Sequence, residues 1–118
     1  MDKVFSFKHI ENPEFCEDYT KLKLVGLEES GVLERLQAVS LRLVFDRQMD
    51  EGDDFTVDGI LSKTDGSIIK CHGNSSKMLD SINKMVDNLK SQIKQISENK
   101  ALEYNQDSFY PYYYSEYY

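Results

Sequence analysis

The sequence predicts an α+β fold of order β-α-β-β-β-α, with one mixed four-stranded sheet and two helices packed on one face. Three observations carry that prediction. Residues 38–45 and 55–61 alternate apolar and polar side chains, the period of strands with one buried face. Asp65-Gly66 lies between two such runs and signals a tight hairpin. Met78, Ile82, Met85, Val86, Leu89, Ile93 and Ile96 fall within an arc of roughly 100° at the helical period. A sheet and helices that are each apolar on one side are satisfied by packing in two layers.

The elements follow in order. Val4-Phe5-Ser6-Phe7 is a short β-rich run and the first strand. Asn12-Pro13-Glu14 reads as a helix start, with Asn12 as cap, Pro13 at the first helical position and Glu14 at the positive dipole end. Cys16, Tyr19, Leu24 and Leu27 carry that helix to about Glu29, before Ser30-Gly31. In the second strand Val39, Leu41, Leu43 and Phe45 share the inner face, opposite Ser40, Arg42 and Asp46. Met49–Asp54 is an acidic turn, and Phe55, Val57, Gly59 and Leu61 form the inner face of the third strand. Ser67–His72 is the fourth. Ser75 or Ser76 caps the final helix. The folded domain is expected over residues 1–101, followed by a flexible tail over 102–118; residues 104–118 hold seven of the eight tyrosines.

The chain has 118 residues, one domain's worth, with 40% hydrophobic and 30% charged residues. A core of that size needs no disulfide or metal. Cys16 and Cys71 are far apart and form no ligand-spaced unit, so they read as reduced thiols. No apolar run approaches the ~20 residues needed to span a bilayer. Met1–Lys8 lacks the apolar core of a signal peptide, and a cytoplasmic protein is expected.

Chemistry finds little purchase. Asp50, Glu51, Asp53 and Asp54 lack the alternate spacing and distal carboxylate of a calcium loop, and read as a solvated hairpin tip. Cys71 and His72 point to opposite faces of a strand, and His9 is distant in sequence, so neither a metal site nor a nucleophile is expected. No enzyme, cofactor or small-molecule substrate is predicted. The formal charge of −7 (21 acidic residues, 14 basic) opposes a nucleic-acid partner.

Against that charge stands a resemblance. Ser76 to Ile93 resembles the last helix of the ribosome hibernation-promoting factors, a family that includes the ribosome-associated inhibitor (sigma-54 modulation) proteins. Met78, Ile82, Asp87, Leu89 and Gln92 match that helix in register. Asp18-Tyr19 with Lys23, Leu27 and Glu28 resembles the family's first helix, and the resemblance spans roughly residues 3–97. It implies a fold similar to double-stranded-RNA-binding domains and a factor that binds small-subunit ribosomal RNA. Such a factor blocks messenger and transfer RNA during starvation or stress, without cofactor or chemistry. Asn88, Ser91 and Gln95 stand where the family usually has Lys or Arg, and Gly26 where a basic residue is common. Lys77–Lys100 nonetheless holds five lysines against three acids. The candidate RNA contacts are Lys77, Lys84, Lys90 and Lys94 on the last helix, with Lys23, Arg42, Arg47 and Lys70 as weaker candidates of the same kind.

The alternative is an acidic protein-interaction module that keeps the fold and has lost ribosome binding. Tyr110, Tyr112, Tyr113 and Tyr114 are then its candidate contact residues for a protein partner, since tyrosine offers contact area at low rotamer cost. Neither reading involves a membrane.

Overall fold

The computed structural model describes residues 1–50 and 52–106, with side chains as far as Ile96. The elements are β1 (Asp2–Lys8), α1 (Pro13–Glu29), α2 (Val32–Arg35), β2 (Ala38–Gln48), β3 (Asp54–Lys63), β4 (Ile68–Ser75) and α3 (Met78–Gln106). The predicted order is present, with one addition. The single turn α2 follows Gly31, whose φ of 78° supplies the left-handed step that ends α1. Its Leu33, with Leu36 just beyond, plugs the end of the core.

The sheet order is β1-β2-β3-β4, with β1 parallel to β2 and the other pairs antiparallel. Leu41, Leu43 and Phe45, with Val57, Leu61, Ile69 and Cys71, point to the helical side. From α1 they meet Cys16, Leu24 and Leu27, and from α3 Ile82, Met85, Val86, Leu89 and Ile93. Phe5 and Phe7 of β1 extend this layer by stacking on Phe45 at 6.2 and 4.9 Å. Among the described residues no helix packs on the opposite face of the sheet, and sheet and helices form two layers.

Glycine decides how closely the layers meet. A Cβ on Gly73 would lie 2.0 Å from the Ser81 carbonyl oxygen and 2.5 Å from the Met85 nitrogen. The α3 backbone therefore rests directly on β4, a distance no other residue permits. In the β3–β4 hairpin, Gly66 takes φ 88° and the Asp65 carboxylate accepts from the Ser67 amide at 2.9 Å. That is the Asp-Gly turn expected from the sequence.

Several local expectations change. Val39 is 44% exposed, because β2 slips register between Ala38 and Ser40 against β3. The bulge leaves Val39 out of the alternation that buries Leu41. Asn12 occupies the cap position of α1 but makes no side-chain capping bond. Ser75 remains in β4, paired with Phe55, and α3 starts at Met78, so Lys77, and neither serine, stands immediately before the first helical residue. At its far end α3 continues to Gln106, past the expected boundary at 101. The apolar period stops at Ile96, but Ala101-Leu102-Glu103 are strong helix formers. Tyr110, Tyr112, Tyr113 and Tyr114 lie outside the described residues.

Candidate nucleic-acid interface

Apart from Arg47, the candidate cations divide among three surfaces. Arg42 and Lys70 stand on the open face of the sheet, in the row Val4–Arg42–Ile60–Lys70 that crosses all four strands. With strands about 4.8 Å apart, the two cations are separated by about 10 Å, with Ile60 between them. Both are exposed and neither makes an ion pair among the described residues. In the next row, Asp58 and His72 pair with each other at 2.6 Å.

The second surface is the flank of α3 beside β4. Lys77 and Lys84 are seven residues apart and so within about 20° of each other around the helix. Lys77 projects freely among the described residues. The Lys84 ammonium donates to the Asn74 carbonyl at 3.1 Å. This contact is one rung of a ladder. The His72 amide donates to the Asn88 side-chain oxygen at 3.1 Å, and the Gln92 carboxamide donates to the Lys70 carbonyl. The Asn88 oxygen also accepts from Gln92 at 3.0 Å. Beyond the ladder, Ser81 donates to the carbonyl of Phe55 in β3 at 2.7 Å.

β4 is an edge strand, and an edge strand presents unpaired backbone groups alternately to the outside. Side chains of α3 satisfy three of those groups, the Asn74 carbonyl, the His72 amide and the Lys70 carbonyl. The expectation that Asn88 is merely a lost cation is therefore incomplete: a carboxamide at this position can accept from the His72 amide, which no Lys or Arg can do. Sequence spacing shows Asn88 and Gln92 four apart on one helical face, but not that a strand edge lies opposite.

Lys90 and Lys94 occupy the third surface. Six residues separate Lys84 from Lys90, which turns the two about 120° apart around α3. This is the flank toward α1, where the Tyr19 hydroxyl donates to the Asn83 side-chain oxygen at 3.1 Å. Lys23 of α1 lies over the Tyr19 ring at 5.4 Å, a cation–π contact. Arg47, one of the weaker candidates, is committed to Asp53 at 2.8 Å and Glu11 at 3.4 Å, and those acids hold its pKa above the usual arginine value.

One surface feature has no counterpart in the sequence reading. Phe15, Tyr19 and Leu22 recur at helical spacing along α1 as a second apolar stripe, beside the buried one of Cys16, Thr20, Leu24 and Leu27. Leu22 is 68% exposed, and Phe15 stacks on Tyr19 at 6.3 Å. Gly26 continues the stripe into open space. Two interleaved apolar stripes blur into an almost unpatterned helix when read as one period, which hid the second.

Burial drives the Cys71 thiol up to about 12 and raises that of Cys16, so neither is an available thiolate. Among the described residues no group of three or more His, Cys, Asp or Glu could hold a metal ion. No helix among them is long and apolar enough to cross a membrane.

The comparisons with known proteins agree with this architecture. A ribosomal subunit interface protein from Coxiella burnetii superposes with a TM-score of 0.63 at 14% identity, covering 83% of this chain and 99% of that one. The N-terminal domain of Thermus thermophilus Protein Y superposes at 0.62 with 15% identity, covering 81% and 99%. At such identities the likeness is one of fold. The comparison with curated proteins gives no match. Residues 4–100 match the family described as sigma 54 modulation protein / S30EA ribosomal protein. With most of its length matched, the chain belongs to that family of ribosome-associated factors, which are not enzymes.

Proposed function

We propose that the protein is a ribosome hibernation factor of the cytoplasm that binds small-subunit ribosomal RNA and excludes messenger and transfer RNA by occupancy. The observation that carries this reading is the family match over residues 4–100. The unpaired cations support it: Lys77 and Lys90 on opposite flanks of α3, and Arg42 with Lys70 on the sheet. Lys23, Lys84 and Lys94 complete the proposed contact set. A protein of net charge −7 can approach phosphate only through local cationic surfaces, and RNA surrounding the domain would meet the three such surfaces at once. Silencing under starvation or stress is the corresponding role.

The test is sedimentation of the purified protein with ribosomes through a sucrose cushion at low and moderate salt. Lys77→Glu/Lys90→Glu is the variant of choice, since both side chains are exposed and make no bond within the described residues. Co-sedimentation that fades with salt and with the charge reversals is expected. Failure to pellet at low salt would overturn the proposal.

A second reading, an acidic interaction module without ribosome binding, is favoured by one observation: the apolar Phe15–Tyr19–Leu22 stripe among the acids of α1, exposed at Phe15 and Leu22. Its binding would be nearly indifferent to salt.

A further inference from the structure

The open face of the sheet is an unusual surface for water to cover. Val4 is 46% exposed and Ile68 49%, and Val44 and Ile60 are half-buried among them. Two cations with no ion pair among the described residues, Arg42 and Lys70, flank Ile60. The acids of this face are mostly engaged elsewhere. Asp58 is held by His72, and Asp46 accepts from Gln48 at 2.8 Å with His9 at 3.8 Å. Asp2 lies at the outer edge of β1, three strands from Ile68. The half of the face nearest Val4 and Ile68 is thus apolar and cationic, a surface suited to an aromatic, acidic peptide.

The chain carries such a peptide. Residues 107–118, Asp-Ser-Phe-Tyr-Pro-Tyr-Tyr-Tyr-Ser-Glu-Tyr-Tyr, hold six tyrosines, one phenylalanine, two acids and no base. Tyrosine rings stack on guanidinium planes and pack against aliphatic side chains, and Arg offers the stronger contact of the two cations. We propose that this segment folds back over the open sheet face of its own chain, laying tyrosines across Val4, Ile60 and Ile68 between Arg42 and Lys70.

The reach permits it. α3 descends antiparallel to β4, with Ser81 near the Ser75 end and Gln92 beside Lys70. From Gln92 it continues fourteen residues to Gln106, about 21 Å along the axis. The twelve residues 107–118 span up to about 40 Å when extended. Returning along the helix and around the β4 edge uses about two thirds of that span. The remaining few residues, Ser-Glu-Tyr-Tyr, fall on the cationic rows, where Glu116 meets Arg42 or Lys70. Docking in this way leaves the α3 lysines uncovered, whereas Arg42 and Lys70 belong to both surfaces, so RNA that reaches them must displace the tail.

The experiment is nuclear Overhauser spectroscopy on the full chain, observing contacts from the tail tyrosine rings to the methyl groups of Val4, Ile60 and Ile68. Contacts that persist unchanged on tenfold dilution at monomeric mass, and that are lost in Arg42→Glu/Lys70→Glu with the core signals intact, are the expected result. Loss is also expected in the full chain carrying Tyr114→Ser, Tyr117→Ser and Tyr118→Ser. Absence of these contacts in the unmodified chain would overturn the proposal. So would contacts that vanish on dilution from a dimer, which would make a second copy the occupant, and contacts to Phe15 and Leu22 instead.

Discussion

The backbone amide of His72 donates to the Asn88 side chain at 3.1 Å, tying the exposed edge of β4 to the helix that crosses above it. The side chain at position 88 is thereby committed to the strand edge. Lys84 and Gln92 extend the same ladder to the Asn74 and Lys70 carbonyls. This is a way to blunt an edge strand without shortening it.

Replacing Asn88 by alanine removes the acceptor for the His72 amide and one partner of Gln92. A single neutral hydrogen bond at a solvent-accessible edge is worth about 1 kcal/mol. The urea midpoint should fall accordingly, and the His72 amide should exchange faster with solvent than its neighbours. Asn88→Lys should show the same loss of stability, whatever it does for ribosome binding.

Gly73→Ala should be far more costly. The added methyl meets the backbone of α3 at Ser81 and Met85, not a movable side chain, so α3 must lift from β4. Overpacking of this kind costs about 1–3 kcal/mol, with the upper end expected because both contacts are main-chain atoms. Thermal unfolding of the variant measures it. Alanine at Gly26, where a Cβ meets open space, should stabilise the helix slightly instead.

Salt dependence distinguishes bonded from free cations. If Lys77 neutralises a phosphate, Lys77→Ala should flatten the slope of log affinity against log salt by about 0.7–0.9. Lys3→Ala should leave that slope unchanged, because Lys3 is already paired with Glu28. Ribosome binding titrated at four salt concentrations reads both.

Cys71 sets a limit at high pH. Its thiol ionises near 9.0 in an unfolded chain and is raised to about 12 in the fold, chiefly by burial. Deprotonation then favours the unfolded state. The contribution is complete below pH 9 and is lost as pH rises toward 12. Over pH 9–11 the stability of the protein should fall more steeply than that of Cys71→Ala. Alkylation of Cys71 by iodoacetamide should require unfolding.

Much of the candidate site was legible as composition but not as arrangement. Lys77, Lys84, Lys90 and Lys94 could be assigned to one helix from their surroundings, yet they divide between two flanks once β4 and α1 are in place. Arg42 and Lys70 lie 28 positions apart in the chain and share one row only through the registers of two strand pairs.

By itself the sequence determined the order of elements, the inner faces of β3 and α3, the Asp65-Gly66 turn and the family. These depend on residues within a few positions of each other, where a buried face imposes its own period of two or 3.6. The tertiary structure alone decided that Val39 leaves the core at a bulge, that Asn88 and Gln92 seal the β4 edge, and that Gly73 supports α3. Each of those outcomes turns on a partner 16 or more residues away, or on a contact between layers, and no local pattern encodes the distance at which two layers meet.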